Sequence, residues 1–207
     1  MRRRARLLVL AGLALLPVGC GGLLPPPAPP PALYRLSPAN IAREGGAPLQ
    51  LQLLVEAPTA PAAIDTTRIA LSRGPTSVDY FADAAWTDRA PRLVHALIAE
   101  ALESAGRIEA VARDTLELRA DALLLSDLRH FEAEYHGGGP PAIRIEIDCR
   151  LVKMPERSII ATRSFAAEVA AGTNETAAIV DGFNEASHEI LRQIAPWAAA
   201  SLAGVAR

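Results

Sequence analysis

The chain is 207 residues long, half of them hydrophobic, with 21 basic side chains against 23 acidic ones. Four of the basic ones, Arg2, Arg3, Arg4 and Arg6, stand at the extreme N-terminus; without them the balance is 17 against 23, a negative surplus that argues against nucleic acid as a partner. Roughly 170 residues remain once a leader and a linker are set aside, enough for one hydrophobic core and too few for two.

Residues 1–19 read as a secretion signal. The arginines form its basic region, Leu7 to Val18 its short apolar region, and Gly19 is the small residue a peptidase needs before the cut. A spanning helix needs about 20 apolar residues, and this run ends at Gly21 and Gly22 with prolines behind them. The residues Leu16-Pro17-Val18-Gly19-Cys20 resemble the lipobox of lipoprotein precursors, matching at Val18, Gly19 and Cys20, with Pro17 standing where Leu is commonest. Cys20 is therefore the expected lipidation site, an unlipidated periplasmic product being the alternative. Buried acyl chains contribute roughly 0.8 kcal/mol per CH₂, and a stable anchor takes more than one chain. By the sorting rule that such lipoproteins follow, Gly21 after the cysteine implies the outer membrane. With Cys20 acylated, Cys149 has no partner for an intramolecular disulfide.

Residues 20–33 are a linker, with Pro25-Pro26-Pro27 and Pro29-Pro30-Pro31 favouring extended polyproline II. The domain is expected over 34–207. Tyr34-Arg35-Leu36 and Leu49 to Val55 read as strands, the second with Leu49, Leu51, Leu53 and Val55 on one face. Arg68 to Ser72 is a short third. Thr87 or Asp88 is placed to cap a helix with Pro91 in its first turn, and Leu93, Val94, Leu97, Ile98, Ala101 and Leu102 keep its apolar spacing until Gly106 ends it.

Apolar runs at Ile108 to Ala112 and Ala122 to Leu128 follow. From Arg129 the pattern is two-fold, with His130, Glu132, Glu134 and His136 on one side and Phe131, Ala133 and Tyr135 on the other. Gly137 to Pro141 turns the chain into Ile143, Ile145, Ile147, Cys149 and Leu151, which alternate with charged residues, so a long antiparallel hairpin is predicted. Met154 to Arg157 makes a second turn into Ser158 to Val169. A final helix starts after Gly172, with Thr173 or Asn174 as its cap, and Trp197 with Ala198 to Leu202 either extends it or meets a neighbouring subunit. The expected fold is an α/β (α+β) sandwich: a mixed, largely antiparallel sheet with two amphipathic helices packed on one face.

Tyr34 and Leu36, the strand Leu49 to Val55, the segment from Ile64-Asp65-Thr66-Thr67-Arg68-Ile69 through Tyr80 and Trp86, the helix after Pro91, and the Leu-rich strand into Phe131-Glu132-Ala133 together resemble the ABC-type transport auxiliary lipoproteins, the group containing paraquat-inducible protein C. The resemblance implies an outer-membrane-tethered, periplasm-facing and non-catalytic subunit of an MCE-type lipid-transport system, with an MCE-domain protein as partner, self-association as a further expectation, and no cofactor. A periplasmic lipid-binding carrier is the alternative. Tyr80 and Trp86 are candidate partner-facing aromatics, since aromatic anchors dominate interface hot spots; core packing is the other account of Trp86.

No catalytic residue stands out. His130, Glu132, Glu134 and His136 would suit zinc by type, but same-side residues on a strand are nearly 7 Å apart and the row spans about 20 Å. One ion cannot collect all four, so a solvated face with ion pairs to Arg144 or Arg150, and no metal, is expected. Cys149 falls on the apolar side of its strand, where a thiol is inert. His95 and His188 read as plain helix-surface positions. The chain contains no Gly-x-Ser-x-Gly elbow, phosphate loop or dinucleotide turn, which leaves an envelope hydrolase the weakest reading.

Overall fold

A computed structural model describes residues 29–113 and 119–204. The signal, Cys20 and most of the linker lie outside the described residues and remain expectations. In chain order the elements are β1 (Ala32–Tyr34), β2 (Leu49–Val55), β3 (Arg68–Ser72), β4 (Asp79–Trp86), α1 (Ala90–Ala105), β5 (Ile108–Ala112), β6 (Ala122–Glu134), β7 (Ala142–Lys153), β8 (Ser158–Ala170) and α2 (Thr176–Leu202).

All eight strands belong to one mixed sheet. The predicted hairpin forms in full: β6 pairs with β7 from Ala122↔Lys153 to Glu134↔Ala142, and β7 pairs with β8 from Ala142↔Ala170 to Lys153↔Ser158, both antiparallel. The opposite edge of β6 is divided. Its start pairs in parallel with β2 through Leu53↔Ala122 and Val55↔Leu124, its end in parallel with β3 through Leu71↔Ala133 and Ser72↔Glu134. Between them Thr59 bridges to Asp127. Beyond β2 lies β5, in parallel; beyond β3 lies antiparallel β4, and then β1, parallel to β4.

Two elements differ from the sequence expectation. The strand Asp79–Trp86 has no clear signature in the sequence, because its Asp-Tyr-Phe-Ala-Asp-Ala-Ala-Trp run is burdened with two aspartates and three alanines and lacks a two-fold apolar pattern. It in turn fixes the first strand two residues earlier than expected, since pairing runs Ala32↔Ala84 to Tyr34↔Trp86.

Helix α1 begins after Arg89, whose backbone N–H meets the Asp88 carboxylate at 2.7 Å, and its amides receive no side-chain cap. Neither Thr87 nor Asp88 is therefore the cap. Gly106 ends the helix in the left-handed region at φ 66°, as the sequence implied. α2 starts after Glu175, with the Thr173 hydroxyl accepting the Glu175 N–H at 3.2 Å, so Thr173 and Asn174 stand outside it rather than capping it. The helix runs on through Pro196 and Trp197 to Leu202, burying Ala195, Ala198, Ala199 and Leu202.

Both helices cover the same face. Apolar residues from α1 (Val94, Leu97, Ile98), α2 (Ile190, Leu191, Ile194), β6 (Leu128) and β7 (Ile145, Ile147) line a single narrow gap between them. α2 lies so close to β7 that a Cβ at Gly182 would sit 2.7 Å from Ile143 Cγ1. Trp86, Phe131 and Phe183 form one aromatic cluster, with centroids 5.8 Å apart for Trp86 and Phe131 and 4.9 Å for Phe131 and Phe183. Phe165 and Trp197 form a second contact at 5.3 Å.

Candidate functional site

The sheet's other face carries the charged residues. Along β6 the buried positions are Ala122, Leu124, Ser126 and Leu128, then Phe131 and Ala133 with Glu132 between them. An irregularity in the β6–β7 ladder between Leu128 and His130 shifts the phase. Such a bulge inserts one residue and re-aims those that follow. Without it His130, Glu132 and Glu134 would point under the helices; with it they face away from them, and Phe131 and Ala133 take the core.

The face that they reach is a cleft of about 400 Å³, also lined by Pro61, Ala63, Ile64, Gly74, Pro75 and Val78. His130 Nδ1 lies 2.7 Å from Glu132 Oε1, and Glu132 is 8% exposed. On the neighbouring strand Arg144 sits 3.4 Å from Glu134 and 2.9 Å from Glu146. Hydrogen bonding to Glu146 holds the Arg144 guanidinium above the usual arginine value. His136 Nε2 is 3.4 Å from Glu134 Oε2. Arg150 takes no part, and Arg129 instead pairs with Asp127 at 3.2 Å and Asp148 at 3.0 Å.

The four side chains do not meet at one point, His136 standing outside the group, but strand spacing does not keep the other three apart. One donor atom each from His130, Glu132 and Glu134 lies within 4.8 Å of the others. Side chains of this length lean together across Cα spacings that the backbone cannot close.

Tyr80 and Trp86 separate in their environments. Trp86 is 1% exposed inside the aromatic cluster, so it is a core residue and not a partner-facing one. Its place at the end of β4 aims it inward, beneath α2. Tyr80, half-buried, donates its hydroxyl to the Ala63 carbonyl at 3.0 Å, and the Arg68 guanidinium stacks 3.6 Å over its ring. Tyr80 thus braces a turn that lines the cleft.

Cys149 is fully buried and its thiol is pushed up to about 12 by desolvation, helped by the charge of Asp148. His95 and His188 are half-buried fasteners rather than plain surface residues. His95 Nε2 donates to the Val55 carbonyl at 2.8 Å, tying α1 to β2, and His188 Nε2 donates to the Ser37 carbonyl at 2.9 Å, tying α2 to the segment after β1. Neither contact has a sequence signature, because each joins residues far apart in the chain. Among the described residues no helix is long and apolar enough to cross a membrane.

The sequence model of a family described as "ABC-type transport auxiliary lipoprotein component" matches residues 34–195. A crystal structure of a Xanthomonas campestris protein of the DUF330 family is similar at 27% identity, covering 84% of this chain and 98% of that one with a TM-score of 0.77. An uncharacterized protein at 14% identity covers 82% of this chain and 99% of its own, with a TM-score of 0.63. A hypothetical protein from Chlamydia trachomatis at 8% identity covers 75% and 99%, with a TM-score of 0.52. The last two share the fold. No curated protein matches the chain.

Proposed function

The chain belongs to the ABC-type transport auxiliary lipoprotein component family, and on that premise we propose that it is a non-catalytic subunit of an MCE-type lipid-transport system, held at the outer membrane by acylated Cys20 and facing the periplasm. The family match over residues 34–195 carries this reading. It is supported by a burial pattern that gives the polar groups structural work: Cys149 is inert in the core, and His95 and His188 bind backbone carbonyls. Contact rather than bond-breaking is the activity that such a surface serves.

A lipid-binding carrier would need an enclosed apolar space for an acyl chain. The apolar gap between α1 and α2 holds about 20 Å³, room for about one water and far too little for an acyl chain. The subunit reading is therefore the stronger of the two. Self-association is part of the same proposal, and the 13-residue β8, paired on one side by β7, offers an edge at which a second strand could add.

The test is gentle-detergent capture of the tethered full chain from envelope membranes. An MCE-domain protein is expected in the eluate and is expected to be lost from a Cys20→Ser control. Capture that repeatedly returns no MCE-domain protein would sink the proposal.

A further inference from the structure

We propose that His130, Glu132 and Glu134 form a binding site for one borderline divalent cation, with Zn²⁺ the ion that best fits the donors. The bulge after Leu128 places all three side chains on one face of β6, and their donor atoms lie within 4.8 Å of one another. A tetrahedral shell with bonds of ~2.1 Å needs donors ~3.4 Å apart, so small rotamer changes of about 1 Å close the set.

A second observation concerns the burial of Glu132. Glu132 is 92% buried, from its 8% exposure, and its hydrogen-bond partner is His130, which belongs to the trio. A buried carboxylate is costly unless a charge or several donors offset it. The nearby guanidiniums are spoken for, and among the described residues the one ion-pair partner of Glu132 is His130 itself. Arg144 reaches Glu134 and Glu146, while Arg129 reaches Asp127 and Asp148. One guanidinium thus serves a group of three carboxylates, and Glu132 is the one it leaves out.

The donor set selects the ion. One imidazole nitrogen with two carboxylate oxygens suits Zn²⁺ and its neighbours in the first transition row. Ca²⁺ wants 6–8 oxygen ligands and Mg²⁺ a rigid octahedron, so both fit poorly. The three ligands come from one strand and the cleft opens beside them, which leaves a fourth position for water or for a partner's side chain.

The experiment uses the full chain in detergent, purified with a tag that contains no histidine and stripped with a chelator. Titration calorimetry with ZnCl₂ should give one ion per chain, with MgCl₂ and CaCl₂ binding at least a hundredfold more weakly. His130→Gln and Glu134→Gln should each weaken Zn²⁺ binding at least tenfold and abolish the rise in melting temperature on adding Zn²⁺, while His188→Gln leaves both unchanged. Circular dichroism confirms that the variants are folded. Absence of saturable binding, or binding that the His130 and Glu134 variants do not weaken, overturns the proposal.

Discussion

Trp86 and Phe183 meet edge to face, their ring centroids 5.2 Å apart and their planes at 84°. This contact joins the last residue of β4 to the middle of α2, and Phe131 of β6 closes the triangle. T-shaped pairs of this kind contribute ~0.5–1.5 kcal/mol beyond area burial. Trp86→Ala should therefore destabilise the domain by about 3–5 kcal/mol, measured by denaturant unfolding. A double-mutant cycle with Phe183→Leu should return a coupling energy near the pair value; additive losses would show that the two rings act independently.

Gly182 tests the helix–sheet distance. A Cβ there meets Ile143 Cγ1 at 2.7 Å, so Gly182→Ala has to push α2 from β7 or force Ile143 aside. Overpacking of this sort costs ~1–3 kcal/mol, against a helix-propensity gain of up to ~1 kcal/mol. The expected outcome is a net loss of stability that shrinks in an Ile143→Ala background, whereas an unconflicted glycine would give a gain in both.

The buried Cys149 thiol predicts a pH signature. Because burial raises it from the ordinary value to about 12, the folded state keeps its proton where the unfolded chain loses it. Its contribution to stability is therefore complete below the unfolded value near 9 and declines as pH rises from there toward 12, by up to ~1.4 kcal/mol per pH unit. A Cys149→Ala variant should lose that decline. In the native protein at neutral pH Cys149 should resist maleimide labelling, and it should label rapidly after denaturation.

Asp148 shifts in the opposite sense. The Ser164 hydroxyl and then the Arg129 guanidinium hold its carboxyl below the usual carboxylate range. That contribution is present above the ordinary aspartate value and is lost as pH falls through the folded one. Ser164→Ala should move the Asp148 carboxyl titration, followed by NMR, upward toward the ordinary range.

Lipidation gives the most direct prediction from the sequence. Palmitate should label the full chain in cells, and Cys20→Ser should abolish the label and release the protein from membranes. Labelling that persists in the variant would place the anchor elsewhere.

What was legible in the sequence was whatever has a period. The β6–β7–β8 hairpins, both helices and the Gly106 stop follow from two-fold and 3.6-fold spacing over long windows, and the family resemblance needed only their order. β4 escaped because Ala and Asp blur its alternation, and β1 moved because β4 sets its register. The helix starts shifted by one or two residues, since a capping residue type is necessary for a cap and does not fix where the helix begins. At the cleft, the residue types were readable on one side of a strand, but their convergence depended on a bulge and on side-chain lean. Trp86 was ambiguous in sequence because an aromatic at the end of a strand serves a core or an interface equally well.

The divided edge of β6 has a kinetic consequence. β2 and β3 find other partners earlier in the chain, β5 and β4, but each leaves its second side unpaired until β6 is made, and β6 is held on its other side by a strand made later still. Long-range parallel pairing of this kind slows folding, placing mixed α/β domains well behind helical bundles that close in microseconds to milliseconds. The sheet therefore stays in two separate pieces, β2 with β5 and β3 with β4, until β6 arrives between them with β7 at its back and joins both into one.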